Sequence, residues 1–246
     1  MTTDSRPDVR LDVLPNLRDL GGLRTDHSAT TRPGVLLRSA APLPGDRPPD
    51  LPDWPPAAVF DLRSAAELAG RPHPLARVGT AVHPLPLMDG VVPAGRVDWS
   101  RVPDLPDGYL ALLQRGAPKL VRLVELAAAA DGPALVHCAA GKDRTAVAVA
   151  VLLRAAGVSR AEVIVDYRRT EPELPAILAR DVFDQSIDPA DMRRLMGVPT
   201  EAITGVLDVL DDTPGGAAGW LRRHGAPAIV LDAWRRRLLG AERPGD

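Results

Sequence analysis

The chain has a single cysteine, Cys138, so no disulfide can form within it and no multi-cysteine metal cluster can assemble. Lysine is nearly absent too: of 30 basic residues only Lys119 and Lys142 are lysines, so a lysine inside a motif carries unusual weight here. No apolar run approaches the roughly 18 residues needed to span a bilayer, and the opening MTTDSRPDVR lacks the apolar core of a secretory signal. A cytoplasmic protein without a stable membrane anchor is the expectation. Excess charge is missing as well. A formal net charge of -2 supplies no global attraction for nucleic acid or anionic lipid, and no nucleic-acid partner is expected. No internal repeat is visible, and nothing in the sequence marks an oligomeric state.

What the chain does have is length and alternation. At 246 residues it can bury a sizeable core, and one domain over 1–246 with a helical C-terminal portion from about 160 is expected. Apolar runs at Val35 to Leu37, Ala58 to Leu62, Ala81 to Leu87 and Ala134 to His137 predict strands, some buried on both faces. Between them, Ser64 to Ala69 predicts a short helix and Tyr109 to Ala130 a long one. The proline-rich stretch Pro42 to Pro56 reads as an extended surface connection. The alternation predicts an α/β fold, a central sheet flanked by helices. Amphipathic segments from Arg160 to Arg237, punctuated by prolines, predict a helical bundle packed on that sheet.

The chemistry concentrates in ALVHCAAGKDRTAVAVAVLL. An apolar strand ends at His137-Cys138, a tight loop containing Gly141 follows, and Arg144-Thr145 open an apolar helix that should end at Gly157. A strand feeding a helix through such a loop turns successive backbone N–H groups inward and adds the positive end of the helix dipole, which makes an anion cradle. Ala139, Ala140, Gly141, Lys142, Asp143 and Arg144 are the expected substrate-binding residues. The cradle and Arg144 both favour a negative sulfur on Cys138, the expected nucleophile. Arg144 lies far enough along the loop to grip two oxygens of one tetrahedral oxyanion.

HCAAGKDRT resembles the signature of the protein tyrosine phosphatase superfamily, and its GKDRT form is similar to the bacterial tyrosine and lipid phosphatases of broad specificity. The resemblance extends to NLRDLGG at Asn16 to Gly22, VLLRSA at Val35 to Ala40, FDLRSAAEL at Phe60 to Leu68 and DYRRT at Asp166 to Thr170. It implies a phosphatase that passes through a phosphocysteine intermediate and needs no metal or other cofactor. Its implied partners are phosphorylated proteins, phosphotyrosine first with phosphoserine and phosphothreonine beside it, or phosphoinositides. It also implies that His137 orders the loop rather than acting as a base, that Thr145 offers its hydroxyl to Cys138, and that Lys142 meets extra negative charge on the substrate.

Ester cleavage also needs a proton donor for the leaving oxygen, which then serves as a base for water. The superfamily's Trp-Pro-Asp acid loop is absent, which leaves Asp89, Asp143 and Asp61 in that order. Asp89 follows the AVHPLPL strand run, Asp143 lies in the loop, and Asp61 ends a strand, where it can alternatively pair with Arg63. Arg18 and Asp19 are expected to pair with each other. Pro84 to Gly108 reads as either a lid over the site or a surface loop. Two competing functions remain: a catalytically inactive phosphate-binding module, which Cys138 and Arg144 argue against, and a rhodanese-like sulfurtransferase, which has no need of His137 or of Lys142 to Thr145 in this arrangement.

Overall fold

The computed structural model describes residues 14–68, 70–87, 105–180 and 197–240. Among these residues five strands form one sheet: β1 (Arg18–Asp19), β2 (Leu36–Ser39), β3 (Ala58–Asp61), β4 (Ala81–Pro84) and β5 (Ala134–His137), in the order β1-β2-β5-β3-β4. β5 lies parallel between β2 and β3, and Ser39, His137 and Asp61 stand abreast at one edge. All residues of these three strands are buried, which is why the sequence shows continuous apolar runs there rather than alternation. In an open α/β sheet the carboxyl ends of parallel strands are where ligands bind. β1 is antiparallel to β2 at the sheet edge, with Arg18 opposite Arg38. Its two charged residues give no strand signal, and the sequence reading missed it.

The side-chain period of two divides the core. Leu36, Phe60 and Val136 join the large cluster on the helical face, whereas Leu37, Val59 and Leu135 pack on the other face against Leu51, Trp54 and Leu75. Leu51 and Trp54 belong to the proline-rich stretch, so that segment covers part of the sheet instead of only connecting across the surface.

Short helix α1 (Ala65–Leu68) and a 3-10 turn (Pro74–Val78) lie between β3 and β4. The long helix expected over Tyr109 to Ala130 is two, α2 (Leu105–Arg115) and α3 (Ala117–Ala129). Pro118, with no N–H and a ring that clashes with the carbonyl one turn back, cannot continue α2 and instead sits in the first turn of α3. Helix α4 (Asp143–Ala155) is buried along ten consecutive residues, Arg144 to Leu153, and ends at Gly157 with φ of 89°, as the sequence suggests. There Gly157 N–H bonds Arg154 O at 3.0 Å and Val158 N–H bonds Leu153 O at 3.0 Å. The helices α5 (Arg160–Arg168), α6 (Leu174–Leu178), α7 (Thr200–Asp212), α8 (Gly216–Arg223) and α9 (Ala228–Leu239) complete the described chain. α7 packs on α2, α4 and α5, and α9 packs on α3. The C-terminal helices therefore lie mainly on other helices, whereas the sequence reading placed them on the sheet. Among the described residues no helix is long and apolar enough to cross a membrane.

Candidate active site

The loop leaving β5 is defined by where its carbonyls go. Cys138 O faces His137 Nδ1 at 3.1 Å, and Ala139 O accepts from Ala41 N–H at 3.0 Å. Ala140 O and Gly141 O accept from Asn16 Nδ2 at 3.3 and 2.9 Å, and Gly141 O also accepts from Arg38 Nη2 at 2.6 Å. Four successive carbonyls are thus engaged from outside the loop. In a planar trans peptide the following N–H points the opposite way, so the N–H groups of Ala139, Ala140, Gly141 and Lys142 are turned to the inner side. Among the described residues the N–H groups of Ala139, Ala140 and Gly141 have no hydrogen-bond acceptor. The inward row ends on α4, whose first turn has no side-chain cap, so its positive end adds to the same anion site.

Gly141 adopts φ of 66°, and a Cβ there would run into the Ser39 carbonyl. Gly141→Ala is therefore expected to weaken binding of an oxyanion such as tungstate at least about tenfold, because the loop must move to relieve the collision. Titration calorimetry reads this directly, and unchanged affinity would show that the glycine is not required for the cradle.

Cys138 begins the loop, 2% exposed and free. Thr145, on the first turn of α4, has a fully buried hydroxyl with no partner among the described residues. An orphaned buried hydroxyl is destabilising by roughly 1–3 kcal/mol and marks a group kept for another purpose.

Arg144 is held by a residue the sequence reading left without a role. Its Nη1 and Nη2 donate to Glu67 Oε2 and Oε1 at 2.6 and 2.7 Å, a two-point fork, and Nη1 also reaches Leu62 O at 3.4 Å. Burial works against the charge on Arg144, but the Cys138 sulfur and the Glu67 carboxylate outweigh it and hold the guanidinium firmly protonated. Burial likewise opposes ionisation of Glu67, and Arg144 overrides it. The fork fixes the plane of the guanidinium and leaves its other N–H donors for a ligand.

His137, fully buried, forms the centre of a hydrogen-bonded chain. Leu75 N–H donates to His73 Nδ1 at 3.2 Å, and His73 Nε2 meets His137 Nε2 at 3.0 Å. Leu75 N can only donate and Cys138 O can only accept, so with neutral rings His73 Nε2–H donates to His137 Nε2 and His137 Nδ1–H donates to Cys138 O. Asp61 Oδ2 lies 3.8 Å from His137 Nε2. These three residues offer atoms within 4.8 Å of one another that could hold a metal, but the tautomers place the proton of His73 Nε2 between the two rings, where a metal would need a lone pair.

Burial pushes His73 down to about 4, aided by its neighbour His137. Unfolded histidine titrates near 6.5, so the unfolded chain takes up a proton between about pH 6.5 and 4 that the folded chain refuses. Stability is then fullest above pH 6.5 and declines as the pH falls toward 4. The urea midpoint should follow that course, and its decline should be shallower in His73→Gln. An equal slope in both proteins would contradict the assignment.

Of the three acid candidates, Asp61 is clamped by Arg63, whose Nη2 donates to Oδ2 at 2.7 Å and whose Nε and N–H donate to Oδ1 at 2.9 and 3.1 Å. Burial alone would raise Asp61, yet His137 and Arg63 overcome it and hold the group at about 2. A carboxyl held this low favours the ion pair with Arg63 over proton donation. Asp143, the first residue of α4, keeps a third of its side chain exposed, and its Oδ1 accepts from Tyr109 OH at 2.9 Å and Lys142 Nζ at 2.5 Å. Burial, then Asp143 and Tyr167, raise the Tyr109 phenol well above its ordinary range, so it remains a donor. Lys142 is fully buried, with Nζ also on Gly197 O at 3.0 Å, so its ammonium points into the protein rather than outward to a substrate. Asp89 and most of the Pro84 to Gly108 segment lie outside the described residues.

The sequence reading paired Arg18 with Asp19, but the structure gives each a different partner. Arg18 Nε donates to Asp166 Oδ1 at 2.6 Å, while Asp19 accepts from the N–H groups of Gly21 and Gly34 at 2.8 and 2.7 Å. Asp166 Oδ2 also receives Arg38 Nη1 at 2.6 Å, and Arg18 Nη1 reaches Asn16 Oδ1 at 2.5 Å. Residues from NLRDLGG, VLLRSA and DYRRT thus converge behind the loop.

A mostly parallel sheet whose central strand delivers a cysteine into an anion cradle closed by a forked arginine agrees with the comparison to known proteins. A model of the tyrosine phosphatase family matches residues 9–240, and the chain belongs to that family. It is similar to the triple specificity protein phosphatase PtpB of Mycobacterium tuberculosis, 31% identical over 141 residues, covering 52% of this chain and 51% of that protein. It is also similar to a tyrosine-protein phosphatase of Nostoc commune, 34% identical over 194 residues, covering 73% of this chain and 65% of the relative. The matches thus span about half and about two thirds of those proteins' lengths.

Proposed function

We propose that the chain is a cysteine-dependent phosphatase that hydrolyses phosphate monoesters through a phosphocysteine. The observation that carries the reading is the engagement of four successive loop carbonyls from outside, beside Cys138 and Arg144. In the first step the Cys138 thiolate attacks phosphorus, the P–O ester bond breaks, and the leaving oxygen takes a proton. Loop N–H groups and the Arg144 guanidinium hold the three equatorial oxygens, where charge accumulates. In the second step water attacks phosphorus and gives up a proton, the P–S bond breaks, and the Thr145 hydroxyl stabilises the departing sulfur. A cytoplasmic setting suits this chemistry, because a reducing compartment keeps a lone thiolate reduced.

For the proton donor we favour Asp143. Its carboxyl is partly exposed and stands at the first residue of α4, directly after the loop. A general acid matters most when the leaving oxygen is basic. Asp143→Asn should therefore slow an alkyl phosphate about a hundredfold more than an activated aryl phosphate. Equal slowing would move the role to Asp89, whose Asn variant should then show the selectivity.

Phosphotyrosine in proteins is the substrate class we favour, with phosphoserine, phosphothreonine and phosphoinositides accepted in addition. The triple specificity named for the mycobacterial relative supports that breadth. Release of phosphate from matched phosphotyrosine, phosphoserine and phosphothreonine peptides and from phosphoinositide vesicles tests it. Turnover of none of them would overturn the reading, and turnover of only one class would narrow it.

A further inference from the structure

Three segments far apart in the chain meet on the outer side of the loop, at its carbonyl oxygens. Asn16 Nδ2 spans the Ala140 and Gly141 carbonyls, and Arg38 Nη2 reaches Gly141 O. Asn16 and Arg38 are only 2% and 1% exposed, so both contacts are shielded from competing water. Each is held in turn: Arg18 fixes Asn16 Oδ1, which leaves the amide nitrogen aimed at the loop, and Asp166 joins Arg18 to Arg38. Asn16 itself sits at φ of 59°, a left-handed conformation that asparagine tolerates better than most residues, and its N–H is tied to Glu173 Oε2 at 3.0 Å.

We propose that Asn16 and Arg38 are positioning residues for anion capture, which clamp the Ala140 and Gly141 carbonyls outward and so aim the Gly141 and Lys142 N–H groups at the bound phosphate. A free loop peptide can rotate and present its carbonyl to the site, where it repels an oxyanion. The clamp removes that alternative before the anion arrives, so no binding energy is spent on reorganisation. The guanidinium on Gly141 O further polarises that peptide and strengthens the Lys142 N–H as a donor. Arg18 and Asp166 act one step behind, by holding the two clamps.

This inference rests on the phosphatase reading, and its test uses binding rather than turnover. Asn16→Asp exchanges the donating Nδ2 for an oxygen with almost no change in shape and keeps the acceptor for Arg18. Asn16→Gly deletes the side chain without strain at the positive φ. In the full chain, both should weaken tungstate binding by calorimetry roughly tenfold, the scale of one lost hydrogen bond, and should slow iodoacetamide alkylation of Cys138 at pH 6. The melting temperature of Asn16→Asp should stay close to wild type.

Wild-type tungstate affinity in either variant overturns the proposal. Weakening in Asn16→Asp alone would mark a simple effect of added charge and also overturn it. Weakening only in step with a falling melting temperature would assign the residues a structural role instead. Failure of the wild-type protein to bind tungstate would bring down the phosphatase reading as well, whereas wild-type binding and turnover with unaffected variants would remove this inference alone.

Discussion

Cys138→Ser is expected to lower kcat by a factor on the order of 10⁴ or more, the scale of nucleophile removal, while leaving oxyanion binding in place. A serine hydroxyl is far less acidic than a thiol and is not ionised at neutral pH, so the loop keeps its N–H groups and loses its nucleophile. Steady-state kinetics on an aryl phosphate and calorimetry with tungstate separate the two quantities. If the variant kept more than about a hundredth of wild-type kcat, the covalent route would be wrong. Equal turnover of both proteins at a very low rate would point instead to a module that only binds phosphate.

The Arg144 and Glu67 pair carries the second large effect. Arg144→Lys preserves the charge but not the planar fork, and it leaves Glu67 facing a single ammonium. A loss of kcat/KM of about 10²–10³ is expected, the range seen when one oxyanion donor is removed. Glu67→Gln keeps the shape of the partner and removes its charge, so the loss should be smaller, roughly tenfold, and should fall mainly on kcat if the fork orients Arg144 for the transition state. Burst and steady-state measurements on the same aryl phosphate compare the two. Full activity in Glu67→Gln would mean that Arg144 is oriented by the phosphate itself.

The contrast between these residues shows what the sequence exposes. Strand β5, the loop and helix α4 were legible because strand, turn glycine, cysteine, arginine and apolar helix follow one another without interruption, and each constrains the next. The same holds for the end of α4, where Gly157 stands one residue beyond the last apolar position. Glu67 was not legible, since its partner lies 77 residues away and its own short helix buries no residue. Asn16, Arg38 and Asp166 were visible as members of family-like segments, but their convergence on the loop depends on the pairing of β1 with β2 and on the placement of α5. The direction of Lys142 likewise depends on Gly197, at the approach to α7. The break between α2 and α3 is set by Pro118, whose effect the apolar period on either side masks in the sequence.

The covalent step is the centre of the account, and trapping it is the most direct measurement. The full chain is mixed with an aryl phosphate, quenched in acid within the first turnovers and examined by intact-mass and peptide mass spectrometry. The mechanism predicts a mass increase of one phosphoryl group on the peptide containing Cys138, more abundant in Asp143→Asn if its carboxylate activates the water, and absent in Cys138→Ala. Rapid product release with no phosphorylated Cys138 peptide at any quench time, in the wild type or in Asp143→Asn, would contradict it.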